Sequence, residues 1–409
     1  MISRQMSSQI LEAATQYPAV AVTGPRQSGK TTLCRELFPH YAYVNLEKPD
    51  VRQFAAEDPN GFLAQFSKPV ILDEVQRVPE LFSYIMPLVD EHKKMGEFIL
   101  SGSQNFHLQE AISQSLAGRC STLRLLPLSY REICGKSNHD LFRLAEETPD
   151  APGSPANPFE HIFRGGYPPI YDRNIKPTNW YAQYTQSYLE RDVRQLVNVG
   201  DLETFERFLR LTAGRSGQIL NMDSLACDVG ISPVTVKRWI SLLAASYIIF
   251  LLKPHARNFN KRLIKTPKLY FYDTGLLCYL LNIRSVEDLE LHSQRGAIFE
   301  TYIISELFKS AFNMGIEPPM YYWRDSQGHE VDLIIENGEK LYPVEIKSAQ
   351  TVSGAMFSGL NYWCGLAQNR GGMLIYGGNE SYTRNGFQVR AWSVISKSSG
   401  DFFRKSPDE

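Results

Sequence analysis

The octapeptide GPRQSGKT, Gly24 to Thr31, fits the pattern G-x-x-x-x-G-K-S/T. Its chemistry would be phosphate binding. Glycines let backbone N–H groups approach an anion, a lysine reaches the terminal phosphates as a point charge, and the following hydroxyl can ligate magnesium. The candidate contacts are Gly24, Pro25, Arg26, Gln27, Ser28, Gly29, Lys30, Thr31 and Thr32, with ATP the expected ligand and Mg2+ its ion. Downstream, KPVILDEVQ ends an apolar run in Asp73 and Glu74. Asp73 would join Thr31 in the magnesium shell, and Glu74 would polarise an attacking water. FILSGSQN offers Ser103, followed by Gln104 and Asn105, as a polar sensor of the γ-phosphate at a strand end. Arg119, in SLAGRC, has two readings: an arginine finger supplied to the neighbouring subunit of a homo-oligomer, or a surface arginine at a helix C-terminus. Arg191, in LERDVRQ, either senses nucleotide or pairs with an acid of its own helix.

A second set of reactive residue types lies in GHEVDLIIENGEKLYPVEIKSA, Gly328 to Ala349. Two strand-like runs flank a turn, with Asp332 on the first and Glu345 and Lys347 on the second. Residues two apart on a strand share a face, so Glu345 and Lys347 point one way and Ile346 the other. A metal-dependent nuclease needs two or three carboxylates around a divalent cation and a lysine near the water. The plainer alternative is a hairpin rim with a salt bridge from Lys347 to a carboxylate.

The elements that must position these groups follow a clear order. Apolar runs such as AVAVTG, YAYVNL, PVILDEV, GEFILSGS and STLRLL alternate with helical patterns, including one over PDVRQFAAEDPNGFLAQF. That βα rhythm predicts a parallel sheet covered by helices on both faces. The stretch TPDAPGSPANP, Thr148 to Pro158, reads as a linker or exposed loop. Further on, MDSLACDVGISPVTVKRWISLLAASYIIFLL reads as helix, turn at Val229-Gly230-Ile231, and a second helix with Ser232 as N-cap and Pro233 at its first position. Two strands then bracket KPHARNFNKRLIKTPK, which carries Lys253, Arg257, Lys261, Arg262, Lys265 and Lys268 without an acid. This is the outline of a winged helix, with Lys237 and Arg238 on its second helix. Such a surface could track a nucleic-acid backbone, or serve as a lid or protein-docking module. The expected domains are 1–135 for the phosphate-binding unit, 136–205 for a helical connector, 206–290 for the winged helix and 291–409 for the terminal unit.

Composition bounds the partners. The chain has 409 residues and a formal net charge of −1, so no global field draws nucleic acid or membrane and any such contact must be local. The six cysteines form no Cys-x-x-Cys pair, which suits reduced thiols in a cytoplasmic protein. The longest apolar run, LLAASYIIFLL, falls short of a membrane span, so no membrane partner is expected.

Taken together, TGPRQSGKTTL, YVNLE, ILDEVQRVPELF, ILSGSQNF, SLAGRC, RGGYPPIY and YLERDV resemble a bacterial and archaeal group of AAA-type ATPases whose C-terminal half is a domain of unknown function. The resemblance spans nearly the whole chain. It implies an α/β protein: an N-terminal AAA-type P-loop parallel sheet, a helical connector with winged helix, and a C-terminal α/β domain similar to PD-(D/E)XK nucleases. In that nuclease fold an acid from the first helix joins an aspartate at a strand end and an E-x-K on the next strand. The resemblance therefore implies Glu300, Asp332 and Glu345 as metal ligands with Lys347 beside them, and Glu330 and Glu306 as nearby substitutes. The sequence departs from the pattern at Val331, where the family motif has proline.

Overall fold

The computed structural model describes residues 2–103, 115–135, 157–188, 202–255, 264–368 and 371–396. After helix α1 (Ser7–Gln16), strand β1 (Ala19–Thr23) runs into the glycine-rich loop and helix α2 (Lys30–Leu37). There follow β2 (Ala42–Asn45), α3 (Pro49–Glu57), α4 (Pro59–Ala64), β3 (Val70–Asp73), α5 (Leu81–His92), β4 (Phe98–Gly102) and β5 (Cys120–Arg124). The sheet order is β2-β3-β4-β1-β5 and every pairing is parallel. β1, β3 and β4 are buried at every position, as strands covered on both faces require. The helical stretch expected over residues 49–66 forms as two helices. Pro59 disfavours the helical conformation at Asp58, whose φ is −137°, and the Asp58 side chain instead caps α4 by accepting from the Gly61 N–H at 2.9 Å.

The middle of the chain is helical: α6 (Tyr130–Ile133), α7 (Pro158–Arg164), α8 (Pro168–Asp172), α9 (Pro177–Tyr188) and α10 (Leu202–Ala213). Then come β6 (Gln218–Ile219), α11 (Met222–Val229), α12 (Pro233–Ala245), β7 (Ile249–Leu252) and β8 (Lys268–Phe271). Gly230 closes α11 at φ +80°, a left-handed turn that glycine adopts without strain, and Ser232 opens α12 by accepting from the Thr235 N–H. Trp239 of α12 packs edge-on against Phe205 and Phe208 of α10. The three strands form an antiparallel sheet in the order β6-β8-β7.

Helices α13 (Thr274–Leu280), α14 (Val286–Leu291) and α15 (Arg295–Asn313) lead into β9 (Met320–Arg324), β10 (Glu330–Asn337) and β11 (Lys340–Lys347). Helix α16 (Ser358–Ala367), β12 (Met373–Tyr376), β13 (Tyr382–Arg384) and β14 (Phe387–Ala391) complete a mixed sheet ordered β13-β14-β12-β11-β10-β9. From Ile298 to Asn313, α15 is buried everywhere except at Glu300. A helix covered on all sides belongs in an interior, and the buried charges of α15 at Glu306 and Lys309 pair with each other there. One continuous hydrophobic cluster, from Met6 to Ile395, accordingly takes in α1, β1, α12, β8, α15 and β11. No helix among the described residues is long and apolar enough to cross a membrane. The six cysteines are free thiols.

Candidate functional site

Parallel pairing brings the carboxyl ends of the strands to one edge. Asn45 stands opposite Asp73, Asp73 opposite Ser101, and Thr23 opposite Gly102. The phosphate loop leaves β1 at this edge. Gly24 has φ +151°, and a Cβ there would sit 2.1 Å from the Leu125 carbonyl oxygen, so only glycine fits. Gly29, at φ +95°, hands the loop to α2. Lys30 is buried, and its Nζ donates to the carbonyls of Gly24 at 3.0 Å and Pro25 at 2.8 Å. Burial lowers its pKa to about 8 against the opposing pull of Glu74 and Asp73.

Around Asp73 the donors converge. Thr31 Oγ1 donates to both carboxylate oxygens at 3.1 and 2.9 Å, Tyr43 OH to Oδ2 at 2.9 Å, and Ser101 Oγ to Oδ1. Burial and the Asp73 charge push the Tyr43 phenol well above its ordinary range, so it remains a donor. Glu74 has a left-handed backbone at φ +57°, which directs its side chain off the strand. Its Oε2 accepts from Gln76 Nε2 at 2.5 Å and Ser103 Oγ at 3.2 Å. Ser103 is thus brought beside Glu74, while Gln104, Asn105 and Arg191 lie outside the described residues.

A hydroxyl and a carboxylate beside a buried lysine are the oxygen donors that Mg2+ prefers, and Thr31 with Asp73 fit that ion. Among the described residues Ser28 Oγ, which is buried, has no hydrogen-bond partner and is open to a phosphate oxygen. Arg26 is half-buried, Gln27 is exposed at φ +60°, and Pro25 is buried. Thr32 is exposed and, with Thr31, Arg35, Tyr43 and Ile71, lines a cleft next to Asp73.

Arg119 is not brought to this edge. It precedes β5, whose Cys120 pairs with Ala19 at the amino end of β1, the end opposite the loop. There it forms a two-bonded pair with Asp90, Nε to Oδ1 at 2.5 Å and Nη2 to Oδ2 at 2.9 Å.

A residue the sequence reading did not single out holds the loop from behind. Arg4 is buried and donates from Nη1 to the Ser28 carbonyl at 2.6 Å, from Nη2 to the Leu126 carbonyl at 2.7 Å, and from Nε to Glu132 at 3.0 Å. Tyr43, Ser101 and Gln76 also escaped that reading. Strand-end position next to Asp73 was the available signal for Ser101; Arg4 had no local signal at all.

The C-terminal acids gather where α15, β10 and β11 meet. Asp332 Oδ2 accepts from the Ile346 N–H at 2.9 Å and from Lys347 Nζ at 3.2 Å, and Lys347 also reaches Glu345 at 2.6 Å. Glu300 accepts from Tyr270 OH at 2.5 Å and from Lys268 Nζ at 3.2 Å. Burial raises the pKa of both acids above the usual carboxylate range, opposed at Glu300 by Lys268 and reinforced at Glu345 by Asp332. Glu306 turns away from this cluster, accepting from the Tyr130 N–H and pairing with Lys309. Of the basic stretch, Arg257, Lys261 and Arg262 lie outside the described residues. Lys268, expected on a basic surface, is instead buried. Lys237 and Arg238 are exposed on α12.

Against known proteins, an AAA domain model matches residues 16–134. A domain of unknown function (DUF8612) matches residues 157–287, and another domain of unknown function (DUF4143) matches residues 295–395. Uncharacterized proteins of Mycobacterium tuberculosis and Mycobacterium bovis are each 31% identical over 355 residues, which is 86% of this chain and 75% of theirs. Among solved structures, the Walker-type ATPase of Pyrococcus abyssi is similar over 68% of this chain and 96% of its own, at 13% identity and a TM-score of 0.44. A RuvB mutant of Thermotoga maritima is similar over 61% and 89%, at 16% identity and a TM-score of 0.31.

Proposed function

Because the chain belongs to the family that joins an AAA domain to these two domains of unknown function, we propose that it hydrolyses ATP and that its nucleotide state acts on nucleic acid through the helical module behind the loop. One observation carries the catalytic half. Thr31, Ser101 and Tyr43 all converge on Asp73, beside Lys30 and within one strand step of Glu74. The β- and γ-phosphates would replace the Gly24 and Pro25 carbonyls as partners of Lys30, and Ser28 Oγ would donate to one of their oxygens. Mg2+, when bound at Thr31 and Asp73, neutralises charge on the phosphate oxygens. Glu74, released from Gln76 and still oriented by Ser103, would align the attacking water. Arg119 lies at the end of the sheet opposite its own loop and pairs there with Asp90, so it either serves another copy in a homo-oligomer or is a surface arginine held by that acid.

The nucleic-acid half rests on α12. It is the second helix of a helix-turn-helix that continues into the antiparallel β7–β8 pair, the winged-helix order, and it exposes Lys237 and Arg238. For the nuclease-like domain we favour a silent site. Its carboxylates are paired to lysines, and among the described residues no group of three or more His, Cys, Asp or Glu side chains is arranged to hold a metal. Lys347 belongs to either reading, but the further pairing of Lys268 with Glu300 and Glu330 supports the salt-bridged reading over metal-dependent cleavage.

The test is ATP turnover with and without single-stranded DNA, duplex DNA and RNA. Several-fold stimulation, lost when Lys237 and Arg238 are both changed to Glu, is the expected result. Nucleotide-dependent assembly indifferent to every nucleic acid would instead make the protein a nucleotide-switched interaction ATPase. Wild-type turnover in Lys30→Ala would remove the catalytic proposal.

A further inference from the structure

The acid cluster of the C-terminal domain is finished by a residue from outside that domain. Lys268 opens β8, the central strand of the three-stranded sheet, and its side chain is only 4% exposed. Its ammonium lies 3.2 Å from Glu300 of α15 and also pairs with Glu330 at the start of β10. The ring of Tyr322 on β9 stands 5.6 Å from the nitrogen. Tyr270, two residues on and therefore on the same face of β8, donates to the same oxygen of Glu300. Lys347 serves the other half of the cluster, bridging Asp332 and Glu345, while Arg324 takes the second oxygen of Glu330. Four carboxylates (Glu300, Glu330, Asp332 and Glu345) therefore meet three cations (Lys268, Arg324 and Lys347).

A divalent ion brings three or more oxygens to within about 2.0–2.6 Å of one point. Here two ammonium groups divide the carboxylates between them, although Glu345 Oε2 is buried without a hydrogen-bond partner among the described residues. A lysine cannot be expelled from a buried position cheaply, because an acid left behind would be unpaired in a medium of low dielectric. We infer that Lys268 is the resident cation of the Glu300–Glu330 half of this cluster, and that its ammonium, supplied from β8, together with Lys347 on Asp332 and Glu345, takes the place of a divalent metal and clamps the three-stranded sheet to the C-terminal domain. The inference rests on the silent-site reading of the C-terminal domain and concerns neither the P-loop nor nucleic acid, so its failure leaves the ATPase and nucleic-acid proposals standing.

The experiment uses the full chain without nucleotide. Wild type and Asp332→Asn are titrated with Mn2+ and followed by calorimetry, and thermal unfolding is recorded with and without Mn2+ for wild type, Lys268→Met and Lys268→Met combined with Glu300→Gln. In wild type, Mn2+ is expected to give no heat and no change in Tm that Asp332→Asn removes. Lys268→Met should lose about 5 °C in Tm, as the rupture of a buried ion pair requires. Millimolar Mn2+ should restore at least half of that loss, and the added Glu300→Gln should abolish the restoration. Mn2+ binding to wild type that Asp332→Asn eliminates would overturn the inference, as would an unchanged Tm in Lys268→Met. The comparison of wild type with Asp332→Asn decides the question even where Lys268→Met does not fold.

Discussion

Replacing Arg4 by methionine tests how the phosphate loop is held. The apolar stem survives the change, but three donors disappear from a buried position: those to the Ser28 carbonyl, the Leu126 carbonyl and Glu132. Hydrogen bonds to charged groups contribute about 1.5–3 kcal/mol each, and breaking a buried ion pair costs about 3–5 kcal/mol. Glu132 limits the damage, because its carboxylate keeps the Ser129 N–H at 2.8 Å, the Ser129 hydroxyl at 3.2 Å and the Gln5 N–H at 2.8 Å. The expected loss is therefore at the lower end of that range, about 3 kcal/mol. Urea unfolding of Arg4→Met, Glu132→Gln and the double variant measures it, with a coupling energy of about 1–2 kcal/mol expected between the two sites. The Ser28 carbonyl is the point at which the loop is tied down, so ATP affinity should fall by about tenfold, which corresponds to about 1.4 kcal/mol of loop ordering. Hydrogen exchange at residues 25–31 should rise in parallel. A stability loss below about 1 kcal/mol together with unchanged exchange in the loop would refute the assignment of Arg4 as its anchor.

Asp73→Asn should leave ATP binding measurable while lowering kcat by about 100-fold or more and raising the Mg2+ concentration needed for half-maximal rate. ATP affinity should be level below pH 8 and fall about tenfold per pH unit above it. Lys30, lowered by burial to about 8, must be charged to meet the phosphates, and the bound anion holds its proton. The same shift makes the fold gain stability as pH rises between about 8 and 10.5, where the unfolded chain still carries the proton that the folded lysine has lost. Both trends are read by calorimetry and denaturant titration. Arg119→Ala should leave nucleotide binding intact and reduce turnover of the assembled protein by about 1,000-fold; unchanged turnover would confine Arg119 to its pair with Asp90.

Local signals carried the N-terminal half of the fold. The strand before the loop, the helix after it and the acids ending KPVILDEV are all short-range patterns, and the parallel sheet follows from their alternation. Where two local rules competed, the stronger steric one decided. Helical periodicity ran across residues 49–66, yet the Asp58-Pro59 step split it, a break that the dipeptide itself announced. Strand β5 also ends at Arg124, although apolar residues continue through Leu125 and Leu126; both are buried beyond the last register pair.

What stayed illegible was the long-range polar chemistry. Arg4 acts 24, 122 and 128 residues away from its own position, and no spacing rule links SRQ near the start to a loop or to a capping box. Lys268 misled for a more instructive reason. A basic run without acids invites a surface reading, because isolated cations are cheapest in water. The same absence of acids also means that any member drawn inside must find its counter-charge on another element. The burial of β8 identifies which member that is: all four of its residues are buried, so both faces of this central strand point inward, and Lys268 shares one of them with Tyr270. A lysine on that inward face can be stable only beside carboxylates, and α15 supplies one at Glu300, the one position between Ile298 and Asn313 that its burial pattern leaves incompletely covered. The pairing of Lys268 with Glu300 thus follows from the fold's topology and could not have been read from either segment alone.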